Sequence, residues 1–218
     1  MSKPTVLYFP LWGRGAAIRF LLKHKGVDFV DANPGKGDVK PWPELKAEFP
    51  NRGGVPWYTN EEGKVFTQSM SILRALAAQH GYQADGAWGE YESNYTIDVL
   101  ADCNQTQGFV NTFFNDAATD EQKTTVKGAI DKALAILDAR WADGRKHAAG
   151  DKVTCADFCI LANDCGVMNN EAGAKHKELA KEIVEIRNKY TNVVRIIDNI
   201  RGENGLDEFI KAQPAGSL

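Results

Sequence analysis

The stretch that decides the fold is Gly54-Val55-Pro56-Trp57-Tyr58-Thr59, followed by the turn Asn60-Glu61-Glu62-Gly63, then Lys64-Val65-Phe66 and Thr67-Gln68-Ser69-Met70-Ser71-Ile72-Leu73-Arg74. Two β-branched and aromatic runs separated by a short turn ending in Gly read as a β-hairpin. Pro56 has no N–H to give a ladder, so it belongs at the start of a strand and holds Val55 extended, with the Val55 backbone free to pair with an extended peptide. Ser69 precedes the apolar-periodic Ile72, Leu73 and Leu76, so it is read as the N-cap of a helix running to His80. A helix N-terminus attracts a carboxylate. An edge for a peptide backbone and a cap for its carboxylate together describe a site for a short, acidic, extended peptide.

Working back toward the N-terminus, Thr5-Val6-Leu7-Tyr8-Phe9 reads as a first strand stopped by Pro10, and Leu11 to Gly15 as a loop. Ala16 to Lys25 is a helix, with Ala17, Phe20 and Leu21 on one face and Gly26 at the position of a C-terminal cap. Val27 to Val30 is a second strand, which gives a β-α-β unit of right-handed connection. Residues 33–54 form a long irregular segment with one short helical piece around Pro43 to Phe49, and segments of that kind commonly line a site.

Working forward, Gly81 to Gly89 reads as a linker, and strand signals then almost vanish. Val126, Ile130, Leu134, Leu137 and Trp141 form one face of a long helix, and Ile97 to Phe114 and Lys177 to Ile200 are also read as helical, so this half is an all-α bundle. Thr154 and Asp157 have capping-box spacing, with Val153 and Phe158 placed for the hydrophobic staple, which starts a buried helix through Cys159, Ile160 and Leu161. The expected domains are residues 1–82 and 90–218.

The 218 residues carry a net charge of −3 with Lys and Arg dispersed, which excludes a nucleic-acid footprint. No apolar run approaches the roughly 18 residues of a membrane span and no signal-peptide pattern is present, so a soluble, intracellular chain is expected. The four cysteines, Cys103, Cys155, Cys159 and Cys165, show neither a C-x-x-C pair nor zinc spacing, and no metal is expected.

An α/β module followed by an α bundle, carrying Tyr8-Phe9-Pro10 with Gly13-Arg14-Gly15, Trp42-x-x-x-Lys46, Gly54-Val55-Pro56, Gln68-Ser69-x-Ser71-Ile72-Leu73-Arg74 and Thr154-Cys155-Ala156-Asp157-Phe158, resembles the cytosolic glutathione transferases over essentially its whole length. The resemblance implies a thioredoxin-like glutathione-binding domain, then a helical domain bearing the electrophile-site wall and dimer contacts. It implies that Tyr8 is catalytic and donates a hydrogen bond to the glutathione sulfur. Val55 would pair with the cysteinyl unit before a cis Pro56, Gln68 and Ser69 would take the γ-glutamyl carboxylate, Trp42 and Lys46 the glycyl carboxylate, and Arg14 would bear on the thiolate or the peptide.

No Cys precedes Cys103 and no Ser lies between Pro10 and Ile18, so neither the cysteine-dependent nor the serine-dependent branch has its residue, which leaves the tyrosine group. The function implied is conjugation of glutathione, as co-substrate, to hydrophobic small-molecule electrophiles: a cytoplasmic, detoxifying homodimer. The alternatives are a glutathione-dependent isomerase of the prostaglandin-synthase type, or a non-catalytic structural or ligand-binding relative. Leu11, Trp12, Gln107 to Asn115 and Gly205 to Leu218 are expected to choose the electrophile, with Trp12 crowding the mouth. The group commonly sends an acid across the dimer. Here Thr106 falls at that position and Asp102 one turn earlier.

Overall fold

The structure is a computed structural model, and it describes residues 2–106, 109–114, 117–170 and 173–212. Strands β1 (Thr5–Leu7), β2 (Val30–Ala32), β3 (Trp57–Thr59) and β4 (Val65–Phe66) form a sheet of order β2-β1-β3-β4, with β1/β2 parallel and the other two pairs antiparallel. Helices α1 (Ala16–Lys25), α2 (Trp42–Glu48) and α3 (Ser69–His80) complete an α/β thioredoxin-like module. The rest is helical: α4 (Gly86–Asn104), α5 (Phe109–Phe114), α6 (Asp120–Arg140), α7 (Cys155–Asn163) with a π turn Asp164–Met168, α8 (Lys177–Lys189), α9 (Thr191–Arg201) and α10 (Leu206–Lys211). Among the described residues no helix is long and apolar enough to cross a membrane.

Four local readings are corrected. The second strand lies at Val30–Ala32 instead of Val27–Val30, because the Val27 amide donates to the Leu22 carbonyl at 2.9 Å and stays in the cap of α1. Helix α4 starts at Gly86, inside the stretch read as linker. The helix expected over Ile97 to Phe114 stops at Asn104, where the Gln105 and Thr106 amides turn back onto Ala101, Asp102 and Cys103. The helix expected over Lys177 to Ile200 breaks at Tyr190, because Asp138 on α6 accepts from the Asn192 amide at 2.8 Å and starts α9 afresh.

The two parts share one core. Ile18, Leu21 and Leu22 of α1, Leu76 of α3 and Phe158, Ile160 and Leu161 of α7 lie in one buried cluster with Val126, Ile130, Leu134, Leu137 and Trp141. The capping box of α7 forms and is sealed: Asp157 Oδ2 accepts from Thr154 N at 2.8 Å and Thr154 Oγ1 at 3.0 Å, and its Oδ1 accepts from Ala148 N at 2.9 Å. Cys155, Cys159 and Cys165 are buried free thiols in this core, and burial pushes Cys165 up to about 12, so they act as small apolar side chains. The sheet and α1 thereby carry the loops at one end of the strands.

Candidate functional site

Tyr8 follows β1 and stays tied to the sheet: its amide donates to the Ala32 carbonyl at 3.0 Å, and its carbonyl accepts from Asn33 Nδ2 at 3.0 Å. Its ring is covered by the turn Gly13–Gly15. The hydroxyl oxygen accepts the Arg14 backbone N–H at 2.9 Å. This contact depends on glycine. A Cβ on Gly13, whose φ is +24°, would sit 2.5 Å from the Tyr8 hydroxyl, and one on Gly15 would sit 2.6 Å from the ring.

Arg19 lies beneath the ring, and the sequence reading missed it. It is 3 % exposed, with Cζ 5.4 Å from the Tyr8 centroid. Its Nε and Nη2 donate to Asp31 Oδ1 at 3.0 and 2.8 Å, its Nη1 to the Leu11 carbonyl at 2.7 Å and its Nη2 to the Phe9 carbonyl at 3.1 Å. One buried cation therefore pins the loop leaving Tyr8 and places positive charge under the phenol. The signal was available: Arg19 interrupts the otherwise apolar run Ala16 to Leu22.

Burial pushes the Tyr8 phenol above its ordinary value near 10, while the Arg14 N–H and the charges of Arg19 and Arg14 pull it back down. The net direction keeps the hydroxyl protonated at neutral pH. With one lone pair held by Arg14, its proton is left to donate outward, and a hydroxyl that accepts a hydrogen bond is a stronger donor.

The sheet register gathers the other residues at this end of the sheet. Leu7 pairs with Trp57, so Tyr8 runs alongside Pro56 as the strands part, and Val55 lies just outside the ladder. The Val55–Pro56 bond is cis. Phe66 pairs with Tyr58, which brings the end of β4, and Gln68 and Ser69 after it, to the same end of the sheet. Ser69 is the first residue of α3 instead of its cap, a correction to the sequence reading. Gln68 holds the cap position at φ 71°, makes no side-chain cap hydrogen bond, and lends its carbonyl to Ile72 N at 2.9 Å. The amides of Ser69, Met70 and Ser71 precede the first intrahelical bond, the arrangement that receives an anion.

Trp42 opens α2, its ring 6.1 Å from Phe9 and 5.8 Å from Trp57, so it spans the loop after Tyr8 and the strand after Pro56. Lys46 is one turn further on the same helix face and exposed, and among the described residues it makes no ion pair, whereas neighbouring Lys40 is held by Glu48 at 2.6 Å. The Arg14 guanidinium is exposed, and its observed contact with Tyr8 is through the main chain.

Trp12 does not crowd an open mouth. It is 6 % exposed and wedged between Phe20 and Phe209, with ring centroids at 5.1 and 6.1 Å. Gln107, Gly108, Asn115 and residues 213–218, which the sequence reading placed in the electrophile wall, lie outside the described residues. A cleft between the N-terminal turns of α6 and α8 is on elements that carry none of these residues, and its Lys123 and Lys127 are paired with Asp120 and Glu182.

A thioredoxin-like module that gathers at one end of its sheet a held tyrosine hydroxyl, an extended segment before a cis proline and an open helix N-terminus, joined to an α bundle, is a two-part fold with one candidate site for a short, acidic, extended peptide. Residues 4–78 match the glutathione S-transferase N-terminal domain and residues 104–213 the glutathione S-transferase C-terminal domain, and the chain belongs to the glutathione S-transferase family. It is 37% identical over 97 residues to the probable glutathione S-transferase 7 of Caenorhabditis elegans, covering 44% of this chain and 45% of that one. It is 28% identical over 168 residues to the class-mu 28 kDa glutathione S-transferase isozyme of Schistosoma haematobium, covering 72% of this chain and 75% of that one. The crystal structure of the Ascaris lumbricoides glutathione S-transferase aligns over 98% of both chains with a TM-score of 0.79 at 22% identity, a likeness of fold.

Proposed function

We propose that this glutathione transferase activates the glutathione thiol through Tyr8 and conjugates the thiolate to hydrophobic electrophiles. The observation that carries the reading is the Tyr8 hydroxyl itself: accepting from Arg14 N–H, on a ring that lies over Arg19, and kept protonated by burial. A thiol of pKa about 8.5 is only a few per cent ionised at neutral pH. A hydrogen bond donated to the anion favours the charged form, and the proton leaves to water. The sulfur then forms a bond to an electrophilic carbon held beside it, and the displaced group departs with its bonding pair.

In this reading the Val55 main chain pairs with the cysteinyl unit, the N-terminus of α3 with Gln68 and Ser69 takes the γ-glutamyl carboxylate, and Trp42 with Lys46 takes the glycyl carboxylate. The open amides of α3 and the exposed cation of Lys46 support these assignments. Glutathione is the co-substrate. We further assign it to the cytoplasm as a detoxifying homodimer, with residues 1–82 binding glutathione and 90–218 bearing the electrophile wall and dimer contacts.

The test is conjugation of an aryl halide by wild type and Tyr8→Phe, with glutathione affinity measured by calorimetry. The expected result is a loss in kcat/KM of about 100-fold, the scale for removing one donor to a reacting anion, with glutathione still bound. Unchanged turnover would overturn the role of Tyr8, and binding without turnover in wild type would make this a non-catalytic relative.

A further inference from the structure

Helix α7 does not end where its hydrogen bonds cease to be regular. It runs into the π turn Asp164–Met168, closed by the Asn169 amide donating to the Asp164 carbonyl at 2.8 Å. A π turn admits an extra residue and pushes the backbone outward, and such turns occur often at functional sites. Here the backbone faces the loop that covers Tyr8, close enough that one added methyl would reach it. Gly166 is buried, and a Cβ on it would lie 3.7 Å from Gly13 N and 3.8 Å from Trp12 Cβ. Gly13 immediately precedes Arg14, whose N–H holds the Tyr8 hydroxyl.

The first residue of this turn carries a buried carboxyl. Asp164 is fully buried; its Oδ1 accepts from Arg187 Nε on α8 at 2.8 Å, and its Oδ2 has no hydrogen bond, with Arg201 Nη1 of α9 at 3.9 Å. Burial pushes the carboxyl up, and the two arginines pull it down. Buried ion pairs add little net stability over apolar packing, and their better-supported use is to fix geometry. The geometry fixed here is the start of the turn that faces Gly13.

We propose that Asp164 is a positioning residue for thiolate activation: paired with Arg187, it holds the π turn so that Gly166 buttresses Gly13 and sets the Arg14 N–H against the Tyr8 hydroxyl. The proposal rests on the reading that Tyr8 activates the thiol. When the buttress shifts, the Arg14 contact lengthens, the Tyr8 hydroxyl donates less strongly, and the bound thiol titrates closer to its free value.

The test compares wild type, Asp164→Asn, Gly166→Val and Tyr8→Phe. It reads the thiolate absorbance of bound glutathione against pH, and kcat/KM across the same range. Gly166→Val adds bulk at the contact without touching the ion pair, so it decides the matter if Asp164→Asn does not fold. In both variants the thiol pKa should rise by about half a unit to one unit, so that kcat/KM falls roughly three- to tenfold at pH near 6.5 and recovers by pH near 9. A folded Gly166→Val with an unmoved thiol pKa, or a loss equal at every pH, would overturn the proposal while leaving the role of Tyr8 intact if Tyr8→Phe does move it. If Tyr8→Phe also leaves the pKa unmoved, the activation reading itself fails, and this inference with it.

Discussion

Two helix N-termini in this molecule are built in opposite ways. That of α7 is sealed: Thr154, Ala148 and Asp157 satisfy one another, and Asp157 is fully buried. That of α3 is open: Gln68 caps it with a strained backbone and no side-chain bond, and it starts at the same end of the sheet as Tyr8. A sealed terminus stabilises the fold, while an open one leaves donors available to a ligand at a cost in backbone strain. The difference separates a terminus satisfied within the fold from one left open more clearly than residue type does, since Thr154 and Ser69 are chemically similar hydroxyls.

The comparison predicts a division between stability and activity. Asp157→Ala should lower the unfolding free energy by about 3 kcal/mol, because three donors lose a buried charged acceptor, and urea denaturation reads it directly. Loss under about 1 kcal/mol would mean that the box is not what holds α7. Gly13→Ala should leave the fold largely intact but reduce kcat/KM by about tenfold, because the added Cβ must displace the Tyr8 hydroxyl or Leu11.

At the open terminus the signs should divide. Gln68→Gly should raise stability by up to about 1 kcal/mol by removing a positive-φ side chain, while weakening glutathione binding in calorimetry. A variant that bound glutathione as well as wild type would show that the strained cap serves no ligand.

The smallest effect concerns pH and belongs to the sealed side. His24 is buried, with Nδ1 2.6 Å from the Tyr82 hydroxyl, and burial lowers its pKa below the ordinary 6.5 while Glu203 pulls it back. The unfolded chain then takes up a proton before the folded one, so stability is full above about pH 6.5 and declines as pH falls below it. Between roughly pH 7 and pH 5 the loss should be smaller in His24→Gln by under about 1 kcal/mol, as measured by urea midpoints.

What was legible in the sequence depended on range. Helix α1 was readable to the residue, and α3 to within one residue at its start, because apolar periodicity and a following Gly are local. Strand β2 was misplaced by the Val27–Leu22 bond of the helix cap, and the α8/α9 break was hidden because its cap, Asp138, comes from α6. Tyr8, Pro56, Gln68 and Ser69 were readable as site candidates by pattern. The positive φ of Gln68, the π turn and the hydrogen bond from the Arg14 N–H to the Tyr8 hydroxyl were not, since each is set by packing between segments. Arg19 was readable as a charge in an apolar helix face, and its meaning came only with the phenol above it.

The central claim is that a protonated Tyr8 hydroxyl stabilises the glutathione thiolate. The most direct measurement is the ultraviolet difference spectrum of bound glutathione thiolate against pH in wild type and Tyr8→Phe. The account predicts a thiol pKa well below the free value of about 8.5 in wild type, returning toward it in Tyr8→Phe. An identical thiol pKa in the two proteins would contradict it.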